Sequence, residues 1–180
     1  MLWHELFGDL PDGESLLVHL VRVPLRLLVA LILGGIVGFE RQREGKSAGI
    51  RTHMLVSLGS ALFTLVPMEA GLHIAELSRV IQGIAAGIGF LGAGSILKLS
   101  DQGEVKGLTS AAGIWVTAAV GMAVGAGILW PAISGVILAW IVLDTLHRVE
   151  HHFKMECKHK LRQDPGSAPV QPKRGGDGEE

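Results

Sequence analysis

The chain of 180 residues has no tyrosine, a single cysteine and only 5% aromatic residues. Charged residues are scarce too, at 18%, and the formal net charge is -1. A lone Cys157 excludes an intramolecular disulfide framework and any cysteine-cluster metal site. The absence of a net basic charge leaves nucleic acid without an electrostatic footprint, so no nucleic-acid partner is expected. There is no nucleophile–base–orienter set, nucleotide-binding loop or haem motif, which speaks against an enzyme and against a cofactor. What remains is apolar: 48% hydrophobic residues and 25 glycines, with a mean hydropathy of +0.41. Such a composition suits neither a disordered chain nor an ordinary soluble domain.

A helix needs roughly 20 apolar residues to cross the hydrocarbon core of a bilayer. Five segments qualify as candidates: Leu16–Phe39, Met54–Pro67 (extending toward Gly71), Val80–Leu97, Leu108–Gly127 and Ile128–Leu146. The last two adjoin, but the 39 residues from Leu108 to Leu146 are too many for one crossing. Pro131 suits a helix start, so a tight hairpin is expected at Gly127–Pro131. The predicted fold is therefore all-α, a polytopic membrane bundle of about five transmembrane helices.

The small net charge conceals an asymmetry. Alternate connections and the tail collect 13 of the 16 basic residues, among them Arg41, Arg43, Lys46 and Arg51. The opposite side holds Glu5, Asp9, Asp12, Glu14, Glu69 and Glu76, with Arg22, Arg26 and Arg79 its only bases. Cytoplasmic loops of membrane proteins are enriched in Lys and Arg. An odd number of crossings, N-terminus out and C-terminus in, satisfies every loop. The acidic start has no basic leader, which is unlike a cleavable signal peptide. The expected organisation is an extracytoplasmic segment 1–15, a transmembrane domain 16–147 and a cytoplasmic tail 148–180. Beyond about residue 162 the tail is Pro, Gly and charge without periodicity and reads as disordered.

Small residues let membrane helices approach closely. Gly34/Gly38, Gly83/Gly87 and Gly121/Gly125 each place two glycines on one helix face. These faces are expected to build a tight bundle and to serve a homo-oligomer. The run Gly87–Gly94 has four glycines in eight residues. Each weakens a helix by about 1 kcal/mol relative to alanine, so a local break that offers backbone groups to an ion is a second expectation.

Polar groups beside hydrocarbon are few. The stretch from Glu40 to His53 is the densest, and reads as a positive-inside anchor or a surface for acidic partners or lipid headgroups. Ser47 or Thr52 is the expected cap of the second helix. Arg22 and Arg26 share a helix face near the outer end, with Glu69 as expected partner. Asp144 and Arg148 form a similar pair at the inner end of the fifth segment.

The stretch GGIVGFERQREGKSAGIRTHMLVSLGSALF resembles the hallmark of the MgtC/SapB family of bacterial inner-membrane proteins. The likeness continues through RVIQGIAAGIGFLGAGSIL and VKGLTSAAGIWVTAAVGMAVGAG, and covers residues 25–147. Matching positions include Glu40, Arg41, Lys46, Arg51 and Thr52, then Gly89, Gly92 and Gly94, then Thr109. The resemblance implies an inner-membrane protein tied to magnesium limitation and, in pathogens, to survival inside macrophages. It further implies a modulator of other membrane proteins, ATP synthase among them for the best-known member. A Mg²⁺ transporter or transport subunit is the alternative. The chain resembles the short form, without the cytoplasmic regulatory domain of longer members, and Ser110 stands where the pattern leads one to expect threonine.

Overall fold

The computed structural model describes residues 16–71, 74–97 and 107–145. Five helices occur among these residues: α1 (Leu16–Arg43), α2 (Ile50–Glu69), α3 (Ile74–Leu97), α4 (Leu108–Gly125) and α5 (Leu129–Thr145). α1 to α4 are long and apolar enough to cross a membrane, and α5 is a shorter apolar helix within the described residues. The chain divides into two compact units, Met1–Leu143 and Asp144–Glu180, and of the second only Asp144 and Thr145 are described. The N-terminal segment, residues 98–106, His73, Arg148, Cys157 and the tail lie outside the described residues.

Hydropathy marks where lipid begins, not where helices end. α1 runs to Arg43, so Glu40 and Arg41 stand on its last turns instead of in a loop. It stops at Gly45, whose φ of +67° places it in the left-handed region. There the Gly45 N–H bonds to the Gln42 carbonyl at 3.0 Å and the Lys46 N–H to that of Arg41 at 3.1 Å, a Schellman closure. α2 then begins at Ile50, four residues earlier than its apolar run, and takes in Arg51, Thr52 and His53. Neither Ser47 nor Thr52 caps it: the cap residue is Gly49, which makes no side-chain cap bond. The Ile50 N–H donates instead to Gln42 Oε1 at 3.2 Å, because the tight turn brings the end of α1 over the start of α2. The expected hairpin between the last two helices is present. Gly127, at φ +78°, closes α4, with Ile128 N–H to the Ala123 carbonyl at 2.9 Å. Pro131 follows in the first turn of α5.

α2 lies between α1 and α4, and α3 rests on α4 with only light contact to α2. The tight contacts are made by glycine. A Cβ at Gly34 would stand 2.7 Å from the His53 carbonyl oxygen, and one at Gly38 would stand 2.6 Å from Ile50 Cα. A Cβ at Gly121 would collide with the Ser57 carbonyl, and one at Gly125 with that of Ala61. Ala30, Leu33 and Val37 of α1, Ala61 of α2, Val120 and Val124 of α4, and Ala132 and Val136 of α5 form the main apolar core. A second cluster joins Ala48, Ile88, Ile114 and Ala118.

The distribution of polarity is inverted relative to a soluble bundle. Leu25, Leu28, Ile32, Ile36 and Phe39 of α1 and Ile137, Leu138 and Ile141 of α5 are exposed, while His53, Ser57, Thr64 and Thr117 are buried. Lipid needs no shielding from leucine, and polar groups at membrane depth turn inward. The fold is thus a helical membrane bundle.

Candidate functional site

Two features stand out: a buried polar seam along α2 and an open small-residue face on α3. The seam starts at Arg41, which is only 1% exposed despite being the longest of charged side chains. Its Nη1 donates to Glu44 Oε2 at 2.8 Å, and its Nη2 to Ser110 Oγ at 3.3 Å. The Glu44 side chain is itself 6% exposed, and Glu40, next to Arg41 in sequence, is buried as well. The planar guanidinium therefore ties the end of α1, its following turn and the first turn of α4 into one clamp, which a point charge of lysine type does not reproduce.

His53, Ser57, Ser60 and Thr64 recur at four, three and four residues, one face of α2, and all are buried. The His53 Nδ1 lies 3.0 Å from the Gly49 carbonyl oxygen. A carbonyl only accepts, so Nδ1 carries the proton and Nε2 of the neutral ring is an acceptor. Thr64 Oγ1 donates to the Ser60 carbonyl and Thr117 Oγ1 to the Gly113 carbonyl, each at 2.9 Å. These hydroxyls satisfy themselves on their own helices. The spacing of His53, Ser57, Ser60 and Thr64 was the sequence signal for this seam, and attention to the charged loop passes over it.

The family-motif residues do not converge on a single site. Glu40 and Arg41 are buried in the clamp, whereas Lys46, Arg51, Thr52 and Thr109 are exposed. A Cβ at Gly92 would stand 3.5 Å from Ala111 Cβ, and Gly89 and Gly94 have open space where a side chain would stand. At the other end of the bundle Arg26 Nη1 lies 3.9 Å from Glu69 Oε1, both side chains about a quarter exposed (25% and 24%). The Arg26 guanidinium also covers Gly127, 2.7 Å from where its Cβ would be. Arg22 is partly buried and engaged in an interaction of its own, as is Asp144.

α3 runs unbroken through Gly87–Gly94, which corrects the expectation of a local break there. Intact i→i−4 bonding outlasts the low propensity of glycine because lipid offers no alternative partner for a freed backbone group. Of the three glycine pairs, those of α1 and α4 are closed against α2, but a Cβ at Gly83 or Gly87 would meet nothing within 4 Å. They line an apolar groove of about 690 Å³ between α2 and α3, with Leu55, Phe63 and Leu91 among its walls. Among the described residues no three His, Cys, Asp or Glu side chains come together.

The fold and this inside-out polarity define a polytopic helical membrane protein. Residues 27–152 match the model of the MgtC family, and the chain belongs to that family. It is 42% identical over 152 residues to SrpB of Synechococcus elongatus, covering 78% of this chain and 81% of SrpB. It is 41% identical over 132 residues to YhiD of Escherichia coli, a protein provisionally named a magnesium transporter, covering 69% of this chain and 60% of YhiD. SapB of Bacillus subtilis is 33% identical over 155 residues, 76% of this chain and 66% of SapB. The chain thus spans about three fifths of YhiD and a larger share of SrpB. No solved structure matches it.

Proposed function

We propose that this chain is a bacterial inner-membrane protein of magnesium homeostasis that acts without catalysis, by docking to other membrane proteins in the bilayer. One observation carries this reading. Three helices carry the same paired-glycine pattern, two of the pairs are closed against α2, and the pair on α3 is left facing outward beside an apolar groove. In lipid, a smooth face is the surface on which a second transmembrane helix gains van der Waals contact. The link to magnesium comes from family membership and from the name given to YhiD. The orientation, N-terminus out and C-terminus in, is supported by the basic residues of the α1–α2 connection.

Conduction of Mg²⁺ is the competing reading, and the name of YhiD favours it. Mg²⁺ keeps a near-octahedral oxygen shell. The groove beside α3 is walled mainly by apolar side chains, and the Arg41 cation stands in the polar seam. Both weigh toward docking.

The test uses a bacterium deprived of its own copy and grown at limiting Mg²⁺. Gly87→Leu is expected to fold and to melt with the parent protein, because a Cβ at Gly87 meets nothing within 4 Å, and yet to lose complementation. Gly87→Ala is expected to retain it. Full complementation by Gly87→Leu contradicts the docking role of this face.

A further inference from the structure

Three side-chain atoms of the seam are buried without a hydrogen-bond partner: Arg41 Nε, His53 Nε2 and Ser57 Oγ. Each unsatisfied group of this kind costs about 1–3 kcal/mol, and hydrocarbon around the bundle supplies nothing to offset it. Their grouping is not scattered. Ser57 is one turn along α2 from His53, on the same buried face. Arg41 bonds to Ser110, one turn along α4 from Gly113, and Gly113 faces His53 Nε2. The three atoms therefore occupy successive levels of one seam.

There is room beside them. A Cβ at Gly34, Gly38, Gly121 or Gly125 would run into backbone of α2, but one at Gly113 would meet His53 Nε2 alone, at 3.4 Å. Gly113 is buried, and the one atom that a Cβ there would approach is the acceptor nitrogen of His53, a side chain that is itself 0% exposed. Packing does not account for glycine here as it does at the other four positions.

The chemistry of the three atoms selects the occupant. Arg41 Nε–H only donates, and its charge repels a cation. His53 Nε2, with Nδ1–H committed to the Gly49 carbonyl, only accepts, and its lone pair repels an anion. Ser57 Oγ does both. A small neutral molecule able to donate and accept at once satisfies all three kinds of group, and a buried water typically makes about three such bonds. We infer that the seam is a binding site for ordered water, with a water lodged at Gly113 donating to His53 Nε2. Water in the same seam accepts from Arg41 Nε–H and bonds Ser57 Oγ. The site completes the hydrogen bonding of the Arg41 clamp and holds His53 in a single tautomer, and it does so whether or not α3 docks a partner.

The test is solid-state NMR of ¹⁵N-histidine-labelled full-length protein in lipid nanodiscs, with the His53 signals assigned through their loss in His53→Gln. Magnetisation from water is expected to reach His53 Nε2 although the ring is fully buried, and the Nε2 shift is expected to be that of an unprotonated, hydrogen-bonded nitrogen. Gly113→Ala fills the space, so the transfer is expected to vanish and the shift to move to that of an unbonded lone pair. Gly113→Ser supplies a hydroxyl in place of the water, so the transfer vanishes but the bonded shift stays. Absence of transfer in the parent protein overturns the inference without recourse to any variant. Transfer that persists in Gly113→Ala overturns the placement, and a protonated Nε2 overturns the choice of water by making the seam an anion site.

Discussion

Gly121→Leu is expected to yield no folded protein, while the same substitution at Gly83 is expected to leave the melting temperature in detergent unchanged. The two glycines belong to the same pattern, but a Cβ at Gly121 collides with the Ser57 carbonyl and stands 2.9 Å from Ser57 Cα, whereas one at Gly83 meets nothing within 4 Å. Backbone of a packed helix cannot step aside as the end of a flexible side chain can. Even Gly121→Ala must push α4 off α2, and overpacking of this kind costs about 1–3 kcal/mol. The same shift would loosen the main core, since Val120 and Val124 flank Gly121 and pack there with Ala61. Thermal unfolding followed by circular dichroism separates the cases. Equal melting of Gly121→Ala and Gly83→Ala would contradict the close approach of α2 and α4.

Arg41→Ala is expected to be the most damaging change at the charged end of the bundle. It removes the 2.8 Å partner of Glu44 and the donor to Ser110 together, and takes a cation from beside two buried carboxylates, Glu40 and Glu44. Breaking a buried ion pair from one side typically costs about 3–5 kcal/mol, much of it the penalty for the charge left behind. Removing both partners, in Arg41→Met with Glu44→Leu, is expected to cost clearly less than the single Arg41 change. Arg41→Lys is expected to recover only part of the loss, because an ammonium on a flexible stem does not present the fork that spans Glu44 and Ser110. Arg51 is exposed on the first turn of α2, and Arg51→Ala is expected to lie within about 0.5 kcal/mol of the parent, as surface changes usually do. Chemical denaturation in mixed micelles measures all four variants. Similar losses for Arg41→Ala and Arg51→Ala would show that Arg41 is an anchor at the membrane surface and not a clamp.

The segment count, the all-helical fold and the hairpin at Gly127–Pro131 were legible because each follows from local composition: apolar length, and glycine before proline. Helix ends were not. Glu40 to Arg43 and Ile50 to His53 read as loop because they lie in a run of charged and polar residues, yet good helix formers carry α1 on to the Gly45 closure, and Gln42 Oε1 caps α2 from Ile50. Arg41 was legible as a motif residue but not as a buried one, since its burial depends on Ser110, far away in sequence, arriving beside it. The glycine pairs show the same limit. Spacing reveals that a face is smooth but not which helix covers it, so Gly83 and Gly87 look identical to Gly34 and Gly38 until the bundle is assembled. The break expected at Gly87–Gly94 came from helix propensities measured in water, where a freed amide finds solvent. Beside lipid it does not, and the helix holds.

Docking without conduction is tested most directly by Mg²⁺ uptake into proteoliposomes that contain this chain alone, with an imposed Mg²⁺ gradient and a fluorescent indicator inside. Uptake is expected to equal that of protein-free vesicles, for the parent protein and for Gly87→Leu alike. Saturable uptake by the parent protein, abolished in Gly87→Leu while the fold persists, would contradict the docking role and make α3 part of a cation path.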